Sequence, residues 1–275
     1  MSYRLNTLIT SDIDVPSYEK RISICLLPNG FSFSIVSTKD VLLTVGVTEH
    51  QGATDMASLA ADIKELFQTL NINPFGYDMV ELVAPSSMAT WIPDDLYEED
   101  HKMDYLHVFG TVPASDAVFV DHSNVINAYN VFAADGTLVM AFKIAIPGII
   151  VRSQQLKMVT ADTMKMSAHG PVVLMYVRQG FVDFAAFNAQ QLLLTNTFEA
   201  TSNSDLLCHA LNIMHQLQIE LPSTQLLMCG DVDRDTYAAL RDYFPIVKLY
   251  NGRPLRFGNP EFQHLHTYSH ALILS

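Results

Sequence analysis

Few stretches of this chain combine residue types and spacings that could do chemistry. Asp231, Asp233 and Asp235 give D-x-D-x-D, the opening of a calcium-binding loop. Such a loop needs glycine at its sixth position and a bidentate carboxylate at its twelfth. Those positions hold Thr236 and Asp242, and TYAALRDYF carries a helical apolar stripe that would extend Asp242 along a rod. Helix capping and the helix dipole account better for the first three aspartates, and solvent exposure for the fourth. The tail FQHLHTYSHALILS holds His264, His266 and His270. A strand would align the first two and a helix the last two, short of the three protein ligands that catalytic zinc takes. There is no G-x-S-x-G elbow, P-loop or G-x-G-x-x-G run. The most distinctive stretch is acidic and aromatic: Asp94, Asp95, Glu98, Glu99 and Asp100, with Trp91, Tyr97 and Tyr105 around them. It reads either as a solvated loop or as a protein-docking surface, because interfaces favour aromatic anchors and leave charge to the rim.

The composition bounds what these residues can serve. The 275 residues are 49% hydrophobic and 16% charged, enough for one large domain or two modest ones with a sizeable core. A formal charge of −13 argues against nucleic acid as the main partner, which would need a basic face. Apolar runs such as VVLMYV end well short of a membrane span, and the amino terminus lacks the layout of a signal peptide, so a cytoplasmic protein without membrane insertion is expected. Cys25, Cys208 and Cys229 lie in apolar strands or on a helix and read as reduced packing residues.

The elements that would position a site occur twice. RISICLL turns at Pro28-Asn29-Gly30, returns as FSFSIV and continues as VLLTVGV; a helix and the strand MVELVA follow. Downstream, PVVLMYV turns at Arg178-Gln179-Gly180, returns as FVDFAAF and continues as LLLTNTF, again followed by a helix and a strand, LLMCG. The two turn glycines are 150 residues apart, and Leu42 and Leu192 keep that offset. FSFSIV alternates with period two, and Asn29-Gly30 suits a tight hairpin whose central residues need positive φ. The first helix carries Met56, Leu59, Ala60, Ile63, Leu66, Phe67 and Leu70 on one stripe, with Thr54 or Asp55 as its cap. The second carries Leu207, Ala210, Leu211, Met214 and Leu217, capped by Asn203 or Ser204; DRDTYAALRDYF then buries Tyr237, Leu240, Tyr243 and Phe244, and the strand IVKLY closes the unit. In the first half VINAYNVF, a helix through Leu138–Ile144 and GIIVRS form the comparable late unit. An insertion at about 85–125 carries WIPDDLYEED and two strand-like runs, YLHVFG and AVFVD, and Met158–His169 reads as a linking helix.

Three antiparallel strands, a helix, a strand, a helix and a strand is the ribonuclease H-like order, and two such units in tandem resemble the actin-like ATPase fold. That fold serves actin, heat-shock chaperones, sugar kinases, and the cell-division and pilus-assembly actin homologues; the insertion after the fourth strand is similar to the last two. In detail the chain resembles a bacterial family of unknown function with this architecture, over about Arg21 to Tyr250. The resemblance implies an α/β protein of two ribonuclease H-like lobes with mixed sheets, 1–165 and 166–275, and a cleft between them. Active members hold ATP and Mg²⁺ there with two Asp-x-Gly hairpin turns and an apolar run ending in Gly-Gly. This chain departs at all three: Pro28-Asn29-Gly30 has no carboxylate and a proline without an amide donor, Arg178-Gln179-Gly180 has no carboxylate, and LLMCGDV keeps Gly230 but places Asp231 where the second glycine belongs. The expectation is a degenerate cleft at Gly30, Gly180, Gly230 and Asp231, no cofactor, and a scaffold or protein-binding role. Trp91, Asp94, Asp95, Tyr97, Glu98 and Glu99 would meet a protein partner, and self-association is open. The alternative is an ATP-binding ATPase with atypical turns, its Mg²⁺ carboxylates supplied by Asp183 or Asp231.

Overall fold

A computed structural model describes residues 3–50 and 55–275. In chain order the elements are β1 (Tyr3–Thr10), β2 (Lys20–Leu27), β3 (Gly30–Ser37), β4 (Val41–His50), α1 (Met56–Thr69), β5 (Met79–Ala84), β6 (Met88–Pro93), α2 (Lys102–His107), β7 (Asp116–Ser123), β8 (Ala128–Asp135), α3 (Gly136–Ala145) and β9 (Ile150–Ser153). They continue as α4 (Gln154–Met158), α5 (Ala161–Met166), β10 (Val172–Arg178), β11 (Phe181–Asn188), β12 (Gln191–Glu199), α6 (Asn203–Gln216), β13 (Gln225–Gly230), α7 (Arg234–Arg241), β14 (Ile246–Leu249), β15 (Arg256–Phe257) and α8 (Ala271–Leu274).

The first large sheet runs β1-β4-β3-β2-β5-β9, and the second runs β12-β11-β10-β13-β14. From β4 to β9 the first repeats the order of the second: a three-stranded antiparallel meander whose first strand pairs in parallel with the strand after the helix. The hairpins fix both registers. Leu27 pairs with Gly30, and Arg178 with Phe181. Gly30 sits at φ +149°, where a Cβ would lie 2.2 Å from the Thr48 carbonyl oxygen, so only glycine admits β4 at that distance.

Each sheet covers its helices with an apolar face. Leu59, Ala60, Ile63, Leu66 and Phe67 of α1 are buried against Ile22, Ile24, Phe31 and Phe33. Asp55 caps α1 by accepting from the amides of Ala57 and Ser58, whereas Thr54 lies outside the described residues. In the second half Leu206, Ala210, Ile213 and Met214 of α6 meet Val173, Met175 and Phe184. The α6 cap is Ser202, one residue before the expected pair, because Asp205 completes a capping box with it. Tyr243 is exposed rather than buried, since α7 ends at Arg241 and Phe244 takes the inward position. Cys25 and Cys229 are buried, but Cys208 lies on the outer face of α6 and is exposed.

Other expectations change for reasons of tertiary packing. VINAYNVF does not join the first large sheet. As β8 it is the centre of a separate sheet, β6-β8-β7, so the inserted unit continues past Asn124. YLHVFG is not a strand: Tyr105 and Leu106 belong to α2, which drops Leu106 onto Val131 and Ala133, and the chain then turns. The linking helix is split into α4 and α5 at Val159-Thr160, where Thr160 starts a new capping box with Thr163.

The residues after β14 return to the first half. β15 pairs in parallel with β4, Phe262 is fully buried beside Leu42 and Val83, and Ser34 Oγ donates to the Ile273 carbonyl at 2.7 Å. Ile273 and Leu274 of α8 thereby cover the face of the first sheet opposite α1 and α3. No helix among the described residues is long and apolar enough to cross a membrane.

Candidate functional site: the cleft between the two sheets

The two hairpins and the end of β13 converge on a cavity of about 310 Å³, lined by Leu27, Pro28, Tyr176, Arg178, Gln179 and Asp231 among others. This is near the lower bound of the roughly 300–1,000 Å³ typical of small-molecule sites. The glycines stand behind the wall rather than on it. Gly30 lines a separate hollow with Tyr3 and His50. Gly180 closes its hairpin at φ +77° with open space where a Cβ would be, so the turn conformation alone accounts for it. Gly230 has φ +88°, and a Cβ there would lie 2.0 Å from the Val177 carbonyl oxygen and 2.9 Å from the Tyr176 ring. It lets Tyr176 pack against the end of β13, and Tyr176 is only 6% exposed.

Arg178 stands where the resemblance wants a carboxylate, and it is committed. Its Nε donates to Asp183 Oδ2 at 2.7 Å, its second terminal nitrogen reaches Asp183 Oδ1 and the Ser86 carbonyl at 3.4 Å each, and the guanidinium stacks on Phe181. Asp183 is fully buried and also accepts from Gln154 Nε2 at 3.1 Å and from the Thr197 hydroxyl. Gln154 in turn closes both ends of the Ser86 peptide, accepting its N–H at 2.9 Å and donating to its carbonyl at 2.6 Å. Three of these bonds fall on Oδ1 and one on Oδ2, so the carboxylate is engaged by Arg178, Gln154 and Thr197 inside the wall of the cleft. Asp231 lines the cleft with its carboxyl reaching solvent; the surrounding wall strips part of its hydration and raises its pKa.

A second buried network lies under the first. Glu81, 2% exposed on β5, accepts from Lys157 Nζ at 2.7 Å and from Ser23, with Arg152 beside it. Burial alone would push the Glu81 carboxyl up, but Lys157, Ser23 and Arg152 hold it below the ordinary carboxylate range. Lys157 also donates to the Ser275 carbonyl at 2.8 Å, tying α4 to the returning tail.

Sequence reasoning missed Gln154, Gln155 and Lys157, because glutamine and lysine are ordinarily exposed and only the tertiary contacts bury these three. Gln155 Oε1 accepts from Thr195 Oγ1 at 2.9 Å and from Asn130 Nδ2 at 3.3 Å. Thr195 Oγ1 accepts from Trp91 Nε1 at 2.9 Å. Trp91 therefore docks the inserted sheet onto β12, which is an intramolecular use of a side chain read as a partner anchor. The other residues of that stretch are at the surface: Asp94 meets His122 at 3.0 Å, Tyr97 stacks on Tyr129 with ring centroids 4.0 Å apart and bonds Glu99, and Glu98 faces His101 at 3.5 Å. Asp95 is exposed.

The other chemistry-bearing stretches have structural occupations. Asp233 is the α7 cap, accepting from the Thr236 amide at 2.7 Å, and Asp235 lies in the first turn. His270 sits under the tail with Nδ1 unpartnered, and burial pulls its pKa down to about 4. Among the described residues no group of three or more His, Cys, Asp or Glu side chains comes together to hold a metal ion.

Known structures share this architecture. A Bacteroides thetaiotaomicron protein of unknown function with an actin-like ATPase fold superposes with TM-score 0.71 and 21% identity, covering 90% of this chain and 95% of that one. PilM, from a PilM–PilN type IV pilus biogenesis complex, superposes with TM-score 0.57 and 10% identity over 94% of this chain and 97% of the other. These likenesses establish the actin-like ATPase fold. A comparison with curated proteins finds no match. Residues 11–247 match the family described as protein of unknown function (DUF3822), and the chain belongs to that family.

Proposed function

We propose that this protein is a non-catalytic actin-like protein that binds protein partners, its two halves held in one arrangement rather than moved by nucleotide. The observation that carries this reading is the Arg178–Asp183–Gln154–Ser86 network across the cleft. In a nucleotide-driven member of the fold the hairpin must turn its amides and a carboxylate toward phosphate and Mg²⁺. Here the corresponding side chain is a cation already neutralised by a buried carboxylate, and its partners span both halves and α4. Lys157, anchored on Glu81, reaches the Ser275 carbonyl, and the tail strand pairs with β4, two further ties between the first half and the later chain.

Fixed relative placement suits a surface that a partner reads. PilM, which shares the fold, is found in a complex with PilN, which supports a protein-binding use of this architecture. Amide hydrogen exchange tests the reading. The segments 24–33, 175–184 and 226–232 should exchange at the same rates with and without millimolar Mg²⁺-ATP. Protection of all three on adding nucleotide would make the cleft a working site and sink the proposal.

A further inference from the structure

Two strand edges face each other on the surface where the inserted sheet meets the second half. β12 pairs only with β11 and β6 only with β8 among the described residues, so each presents an unpaired row of backbone groups. Between them is a groove of about 360 Å³, lined by Ala89, Thr90, Trp91, Phe109 and the run from Leu192 to Asn196. The two strands come together around Trp91, which donates to Thr195.

Natural sheets blunt such an edge with charge, proline, a bulge or a covering element. From Gln191 to Phe198 this strand carries no charge at all. Its bulge falls at Leu193, since Phe187 pairs with Leu192 and Ala186 with Leu194, and Leu193 is 39% exposed. Opposite it Phe109 is 58% exposed, on a turn that the inserted unit's own core does not use. The ends of the groove differ from its middle. Glu199 closes β12, and β6 runs through Pro93 into Asp94 and Asp95, which lie at most about 11 and about 14 Å along the chain from Trp91. Glu98, Glu99, Asp100 and Asp104 follow, against the single Lys102.

We propose that this groove takes an extended peptide of a partner protein, added as a strand to the open edge of β12. Its alternate apolar side chains meet Leu193, Trp91 and Phe109, and its flanking lysines or arginines face the acidic ends. The edge supplies main-chain hydrogen bonds and the groove the side-chain selection, the division of labour of strand addition. The inference rests on the protein-binding reading and names the chemistry of the partner.

The test uses the full chain and a fluorescein-labelled ten-residue peptide of alternating valine and threonine with two lysines at each end, followed by anisotropy. Saturable binding is expected. It should weaken at least tenfold when alternate peptide backbone nitrogens are methylated, when glutamates replace the lysines, and in Phe109→Ala and Leu193→Lys, both surface changes whose folding is checked by circular dichroism. No binding, or binding indifferent to methylation or to both variants, overturns the proposal. So does concentration-dependent dimerisation of the wild type that Leu193→Lys abolishes, which would assign the edge to a second copy. Loss of peptide binding with nucleotide still inert removes the groove alone, whereas protection of the cleft by Mg²⁺-ATP removes the reading on which it rests.

Discussion

Replacing Arg178 by alanine is the perturbation that the cleft geometry makes most informative. The side chain is 16% exposed and its partner Asp183 is 0% exposed, so the change strips a buried carboxylate of its counter-charge. Breaking a buried pair by removing one member costs about 3–5 kcal/mol, because the survivor is left uncompensated. Gln154 and Thr197 still donate to Asp183, which places the expected loss near the lower end, about 3 kcal/mol. Such a loss corresponds to a fall in melting temperature of about 5 °C for a chain of this size. The assay is urea denaturation followed by far-ultraviolet circular dichroism. Arg178→Ala/Asp183→Asn provides the control. Removing the stranded charge should recover about 1 kcal/mol or more relative to the single variant, the signature of coupled neighbours. Arg178→Lys should fall between, keeping charge but losing the fork that spans Asp183 and Ser86. Arg178→Ala within about 0.5 kcal/mol of the wild type, the range of an ordinary surface change, would refute the reasoning.

Other outcomes follow from the same contacts. Lys157→Met should cost about 3–5 kcal/mol in denaturant titration, since Glu81 would lose its main counter-charge in the interior. Gly230→Ala meets both a positive φ and the Val177 carbonyl, so a loss greater than about 1 kcal/mol is expected by differential scanning fluorimetry. His270 is held neutral in the fold with a pKa of about 4 against an ordinary 6.5. The unfolded chain therefore takes up a proton first as pH falls. The stability from this group is complete above about 6.5, declines between 6.5 and 4, and amounts to roughly 3 kcal/mol; His270→Phe should flatten that part of the stability–pH profile.

The parts of the fold that were legible in the sequence are those written in local chemistry. Gly180 set one hairpin by its positive φ, and the stripe from Leu59 to Phe67 set α1, because turn φ values and helical period need no distant partner. The first hairpin was found in the right place, but its central residues are Pro28 and Asn29, Asn29 does not take positive φ, and Gly30 opens β3. The repeat made the two sheet orders recoverable. What was hidden depends on contacts made elsewhere. Tyr105 and Leu106 carry strand-like neighbours, and only the Val131–Ala133 surface makes a short helix the better way to bury Leu106. VINAYNVF read as the start of the first half's late unit rather than as part of the insertion, because which sheet an apolar strand joins is decided by pairing rather than by its own pattern. Trp91 was readable as an anchor but not as one directed inward. The three turn glycines stand behind the cleft wall rather than on it, and the side chains that line or brace it, Gln154 and Asp183 together with Arg178, acquire their meaning only when α4, β10 and β11 meet.

Whether nucleotide stabilises the native protein decides most directly between a fixed scaffold and a nucleotide-driven switch. The measurement is the thermal unfolding shift with ATP and with ADP, each with and without Mg²⁺. A ligand present at 100 times its Kd adds about 2.7 kcal/mol to the native state, a shift of several degrees. Unchanged melting at millimolar nucleotide is the predicted result. A Mg²⁺-dependent rise of several degrees would contradict the account and make the cleft a nucleotide-driven switch.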